Sequence, residues 1–168
     1  MVRNSTVILI ILILSIAACQ QPQKTEADSA STDAKDLVAK IKLSDLDGNS
    51  IDLKSMKGKV VFLNFWATWC KPCIEEMPSI DAMKQSLGGR DIVILAASDE
   101  PLKRVKAFAD KYDFSFQFVK MESSVADLGI YALPTTFIID KQGEIALNET
   151  GARDWNNQAN QDMIKEMM

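Results

Sequence analysis

Two cysteines stand two residues apart in Trp69-Cys70-Lys71-Pro72-Cys73, at the junction of two patterned segments. An apolar, β-rich run from Val60 to Trp66 leads in, as a strand covered on both faces would read. A helical pattern from Ile74 to Leu87 leads out. A cysteine pair at a strand-to-helix junction points to dithiol–disulfide chemistry. A thiol at a helix N-terminus lies among unpaired N–H groups and the positive end of the helix dipole, which favour its thiolate. On that geometry Cys70 is the attacking sulfur, and Cys73, one turn inward and less exposed, resolves the mixed disulfide. Lys71 adds a positive charge. Pro72 fits an early helical position, where its missing N–H does no harm.

Two plainer roles for the pair are weaker. A structural disulfide closing a loop of about four residues stabilises by only about 1.9 kcal/mol, against about 3 for fifteen. Half of a zinc site needs further ligands, and the chain has neither a second cysteine pair nor a histidine. The lack of histidine also excludes Ser-His and Cys-His catalysis. No metal site and no cofactor are expected. The net charge is −4 with no basic block, which argues against a nucleic-acid partner.

The third cysteine, Cys19, needs a separate account. Val7 to Ala18 is apolar except for Ser15, and follows the single charge of Arg3. It falls short of the ~20 residues of a spanning helix and fits a secretory h-region. Ile16-Ala17-Ala18-Cys19 resembles the lipobox of bacterial lipoproteins. The resemblance implies cleavage before Cys19 and acyl chains on it, two or more being needed for stable anchoring in a bilayer. Gln20 in place of Asp leans towards the outer membrane over the inner one. Residues 1–18 thus read as a signal peptide. Residues 19–36 read as the lipidated cysteine and a flexible tether, rich in Gln, Ser, Thr, Ala, Asp and Lys and too polar to fold.

Residues 37–168 read as one domain. Ile41–Leu43 and Ser50–Leu53 flank the turn signal Asp47-Gly48, which predicts a short N-terminal hairpin. After Val60–Trp66 and its helix, interrupted by Pro78, come a strand at Ile92–Ala97 and a helix at Leu102–Tyr112. A strand at Phe114–Val119 and a short helix at Ser123–Leu128 follow. A strand at Thr135–Ile139 turns through Lys141-Gln142-Gly143 into Glu144–Leu147, and Trp155–Met168 forms a terminal helix. Alternating β and α units followed by a hairpin and a helix predict an α/β fold, a mixed central sheet flanked by helices on both faces. Met77 and Met83 read as core filler. Phe108, Phe114, Phe116 and Phe118 read as core or its edge, and Trp66 as framework.

The order of elements and the motifs together carry a family resemblance. Phe65 to Cys73 resembles the thioredoxin-fold signature. Gly58 to Cys70, Glu76-Met77-Pro78, Leu133-Pro134-Thr135-Thr136-Phe137-Ile138-Ile139-Asp140 and Gly151-Ala152-Arg153-Asp154-Trp155 resemble the TlpA/ResA/DsbE branch of exported reductases. The N-terminal hairpin is typical of that branch. The resemblance implies a thioredoxin fold with a cis peptide bond at Pro134, facing the cysteines. It implies that Leu133 pairs through its backbone with an extended substrate strand. Trp69, Lys71, Pro72 and Leu133 would form the substrate-binding surface. Where cytosolic thioredoxin has a buried aspartate this chain has Asn64, which takes no proton from Cys73. Glu76 matches a glutamate assigned to the active site in ResA-like proteins, and a solvated first-turn carboxylate is the plainer alternative. Glu75 beside it reads as such a surface charge.

These readings converge on a membrane-anchored thiol-disulfide oxidoreductase, facing the periplasm or cell exterior, that reduces protein disulfides. The resemblance implies a membrane thiol-transfer electron donor and places apocytochrome c among the substrates. Competing readings are a thiol oxidant, a peroxide-consuming enzyme, a copper chaperone and a structural envelope domain. Thr68-Trp69-Cys70 is one residue too short for the peroxiredoxin spacing, and the copper chaperones use a longer cysteine spacing and a histidine.

Overall fold

The computed structural model describes residues 37–88 and 91–168. The signal peptide, Cys19 and the tether expected in residues 1–36 lie outside the described residues. Among the described residues one sheet holds the strands β1 (Leu43–Ser44), β2 (Ser50–Ile51), β3 (Val60–Phe65), β4 (Ile92–Ser98), β5 (Gln117–Met121), β6 (Thr135–Ile139) and β7 (Ile145–Thr150). Their order is β2-β1-β5-β4-β3-β6-β7. Residues 37–40 are helical, and the longer helices are α1 (Lys71–Ser86), α2 (Leu102–Ala109) and α3 (Gln158–Met167), with two 3-10 turns at Leu53–Met56 and Val125–Leu128. The sheet is mixed: β3 runs parallel to β4 and antiparallel to β6, and β4 is parallel to β5.

Every residue of β3 is buried, as its run, apolar but for Asn64, predicts. Its side chains alternate between two cores. Val60 and Phe62 meet Met77, Ile80 and Met83 of α1, Val105 and Phe108 of α2, and Ile164 of α3. Val61, Leu63 and Phe65 meet Phe137, Leu53, Leu128 and Ile130. Helical cover is therefore present on both faces but differs in kind. Helices α1, α2 and α3 pack in the first core; the 3-10 turns, with Leu37 and Val38 of the helical residues 37–40, pack in the second. The N-terminal hairpin forms as β1 and β2, its turn closed by Asp45, whose Oδ1 accepts from the N–H groups of Asp47 and Asn49 at 2.9 and 2.8 Å. Gly48, at φ 88°, supplies the left-handed conformation that this turn needs.

Several boundaries depart from the sequence reading: the hairpin strands are Leu43–Ser44 and Ser50–Ile51, and the short helix expected from Ser123 is a 3-10 turn from Val125. The alternating aromatics at Phe114 and Phe116 precede β5 and do not belong to it. Their rings stack at 5.0 Å, and the Ser115 N–H between them donates to Asp81 Oδ1 at 2.7 Å instead of to a ladder partner. Helix α2 ends at Ala109, three residues early. The partner of β6 begins at Ile145 and runs on to Thr150, because Glu144 N–H is taken by the Asp140 carboxylate at 3.0 Å. Helix α3 begins at Gln158, capped by Asn157, whose side chain accepts from Asn160 N–H at 2.9 Å; Trp155 belongs to the segment before it. Met77, Met83, Phe108, Phe116 and Phe118 are all buried, and Trp66 is fully so.

The register fixes the place of the cysteines. Phe65, the last residue of β3, pairs with Ala97 of β4 and Thr135 of β6. The chain leaving β3 towards Cys70, the chain leaving β4, and the chain entering β6 through Pro134 therefore meet at one end of the sheet.

Candidate functional site

Cys70 is the N-cap of α1 and Cys73 lies in its first turn. Their sulfurs are bonded, 2.03 Å apart, with the Cα atoms separated by 5.3 Å. Cys70 Sγ also accepts from Cys73 N–H at 3.3 Å, the contact expected of a sulfur at a helix N-terminus. Cys73 is wholly buried, while Cys70 keeps a sliver of exposure, 4%. Pro72 occupies the first turn of the helix. The Lys71 ammonium stands in solvent and pairs with Glu75 at 3.4 Å, so its charge is shared with a surface carboxylate. Trp69, immediately before Cys70, is 71% exposed.

The loop carrying Trp69 is held from β4. Glu100, buried just beyond that strand, accepts from Thr68 N–H at 2.6 Å and Thr68 Oγ1–H at 2.9 Å, and pairs with Arg104 at 3.0 Å. Burial alone would raise the Glu100 pKa; the Thr68 and Arg104 hydrogen bonds outweigh it and hold the carboxyl below the ordinary glutamate value. On the other side, the Leu133–Pro134 peptide bond is cis. Pro134 carbonyl accepts from Gly151 N–H at 2.8 Å, and Thr135 Oγ1 donates to Ala132 carbonyl at 2.8 Å.

Glu76 is no surface charge. It is 5% exposed and receives three hydrogen bonds. Asn64 Nδ2 donates to Oε1 at 2.8 Å; Arg153 N–H and Trp155 Nε1–H donate to Oε2 at 3.2 and 3.3 Å. All three donors are neutral. Burial pushes the Glu76 pKa up, and the three hydrogen bonds offset that only in part. An open cleft of about 300 Å³, lined by Pro72, Ser79, Ala152 and Arg153, reaches it from solvent. A larger groove of about 590 Å³ lies against the N-terminal hairpin and holds no cysteine. No cluster of three or more His, Cys, Asp or Glu side chains able to hold a metal occurs among the described residues.

The chain that carries this cysteine pair, buried carboxylate and cis-proline is similar to known proteins. The model of the AhpC/TSA family matches residues 33–148. The chain belongs to the AhpC/TSA family. Within that family it resembles ResA: it is 42% identical over 107 residues to the thiol-disulfide oxidoreductase ResA of Bacillus cereus, a match spanning 61% of each chain. It is 38% identical over 153 residues to ResA of Geobacillus thermodenitrificans, covering 87% of this chain and 85% of the relative. The former match thus takes in about three-fifths of the relative's length. The crystal structure of the exposed lipoprotein thioredoxin of Streptococcus pneumoniae superposes with a TM-score of 0.62 at 26% identity, over 74% of this chain and 97% of that one.

The structure brings together Cys70, Cys73, Glu76, Trp69, Lys71 and Pro72 on α1 and the loop before it, and places Leu133 and Pro134 at the same end of the sheet. Cys19 lies outside the described residues. Thr68, Glu100, Thr136, Arg153 and Trp155 enter the site without having been singled out. The stretch Gly151 to Trp155 stood out for its resemblance to the TlpA/ResA/DsbE branch, and its part here is to close over Glu76.

Proposed function

We propose that this protein is a thiol-disulfide oxidoreductase that reduces protein disulfides outside the cytoplasm. The observation that carries the reading is the Cys70–Cys73 disulfide at the start of α1, with a buried, neutral-caged carboxylate one turn further along the same helix. In the reduced protein, Cys70 is the sulfur favoured as thiolate, because the Cys73 N–H and the helix dipole point at it. It attacks one sulfur of a substrate disulfide; that S–S bond breaks, a mixed disulfide forms, and the other substrate sulfur leaves as thiolate. Glu76 takes the proton of Cys73. The Cys73 thiolate attacks Cys70 Sγ, releases the second substrate thiol, and restores the disulfide seen here. Two electrons pass to the substrate in each cycle. A membrane thiol-transfer donor returns them by the same exchange in reverse. Apocytochrome c is a candidate substrate through the ResA resemblance.

The binding surface is Trp69, Lys71, Pro72 and the backbone of Leu133, which can pair with an extended polypeptide. The leader, Ile16-Ala17-Ala18-Cys19 and the polar stretch to residue 36 support a lipid-anchored protein on the periplasmic or outer face of a membrane, with the outer membrane favoured by Gln20. Among the described residues no helix is long and apolar enough to cross a membrane. The name of the pneumococcal neighbour, an exposed lipoprotein, agrees with that reading.

Trapping tests the assignment. Cys70→Ser is expected to abolish reduction of a protein disulfide, and Cys73→Ser to accumulate mixed disulfides that denaturing, non-reducing electrophoresis resolves. If Cys73 alkylates faster than Cys70 at neutral pH, the order of sulfurs is reversed. A reduction potential near about −270 mV fits a reductant, and one near about −120 mV an oxidant. Peroxide consumption by the purified dithiol would favour the peroxide-consuming alternative.

A further inference from the structure

Asn64 lies beside the middle strand of the sheet, 1% exposed, in the fifth position of β3. Its Nδ2 serves two acceptors, Glu76 Oε1 at 2.8 Å and Thr136 Oγ1 at 3.0 Å. Its Oδ1 is buried and has no hydrogen-bond partner. An amide whose nitrogen is doubly used while its oxygen goes unserved is oriented for an acceptor, the Glu76 carboxylate. A proton on Oε1 changes the pattern, because Oε1–H is then a donor facing Nδ2. Turning the amide by 180° puts Oδ1 in the place of Nδ2, where it accepts from both Glu76 and the Thr136 hydroxyl. The orphaned acceptor is then satisfied twice, and the two Nδ2 hydrogens take the place in which Oδ1 had no partner.

We propose that Asn64 is a positioning residue whose amide turns over with the protonation of Glu76, nitrogen towards the carboxylate and oxygen towards the acid. This rests on the reading of Glu76 as the acceptor of the Cys73 proton. On its own helix Glu76 has the disulfide of Cys70 and Cys73, and Glu75, which is turned to Lys71. From the segment after β7 it meets Asp154 across the cleft and the backbone N–H of Arg153, whose guanidinium is engaged with Glu149 at 3.3 Å and Asn160 at 3.4 Å. Trp155 contributes an indole N–H. β3 and β6 contribute only the neutral Asn64 and Thr136. Among the described residues no cation bonds Glu76, and its three hydrogen-bond donors are all neutral. An aspartate at position 64 would set two acids within hydrogen-bond distance with one proton to share, and a leucine would serve neither state.

The experiment is nuclear magnetic resonance on the full chain, reduced, across a pH titration, following the Glu76 carboxyl carbon and the Asn64 side-chain amide. The expected result is a nuclear Overhauser contact between the Asn64 amide protons and Thr136 that is present above the Glu76 midpoint and lost below it. In Glu76→Gln the contact should no longer depend on pH. Asn64→Leu removes a donor to the charged form, so the Glu76 midpoint should rise and the pH profile of mixed-disulfide resolution should move the same way. Asn64→Asp should split the titration into two steps. A contact that persists unchanged through the Glu76 midpoint overturns the proposal. Failure of the Glu76 reading shows separately, as Glu76→Gln resolving mixed disulfides at the wild-type rate.

Discussion

Two buried glutamates flank the cysteine loop and answer to pH in opposite senses. Glu76 is caged by neutral donors and its pKa is raised, first by burial. The folded protein therefore holds its proton where the unfolded chain has lost it, and stability falls as pH climbs from the ordinary glutamate value through the folded one. Glu76→Gln should remove that slope, so the variant gains on wild type in neutral urea titrations and the difference closes in acid. Glu100 is the reverse. Its carboxyl is held low by Thr68 and Arg104, so its contribution is complete above the ordinary value and is lost as pH falls through the lower folded one. Glu100→Gln should cost about 1.5–3 kcal/mol at neutral pH, shrinking in acid. The cysteines were legible because their spacing is local. Glu76 was legible through the ResA-like resemblance, since its place one turn from Cys73 alone also fitted a solvated surface charge. Glu100 and Trp155 were not: their bonds to Thr68 and Glu76 join residues 32 and 79 apart, and no periodicity records such a pairing.

The helix α1 does two jobs along one face. Cys73 and Glu76 occupy its N-terminal half, and Met77, Ile80 and Met83 fill the core beneath, all essentially inaccessible. The helix runs from Lys71 to Ser86 through Pro78, which leaves the Ile74 carbonyl without its usual donor. Met83 is about two turns from Glu76, which makes the two jobs separable. Met83→Ala should cost about 2–5 kcal/mol in denaturant unfolding while leaving the rate of Cys70 alkylation in the folded, reduced protein unchanged. Elements with a single strong pattern, β3, β4 and β6, could be read from their residues to within one position. Where two patterns competed, the local one misled. The alternation at Phe114–Phe118 belongs to an aromatic cluster with Phe108 and Tyr112 before it belongs to a strand.

At the scale of the molecule, the sheet order puts β3 next to the middle and sends its C-terminal end to the cysteines, so the site rests on the most deeply buried strand. The element sequence predicted this mixed sheet with its added hairpin, since right-handed β-α-β connections leave few alternatives. The proposed anchor sits at the other extreme, in residues 1–36. Cys19→Ala should move the protein from the membrane to the soluble fraction, or leave its precursor uncleaved, with the dithiol chemistry of the protein unaltered; metabolic labelling with a radioactive fatty acid reads the outcome, and unchanged labelling would rule out the lipobox. A protein held on a bilayer meets copies of itself at high surface density, where an open sheet edge invites ladders to grow from one chain into the next. Here one edge is β2, only two residues long. The other is β7, whose exposed positions Ala146, Asn148 and Thr150 carry no bulky apolar group. Blunt edges of this sort let a crowded layer of such molecules stay a layer of separate molecules.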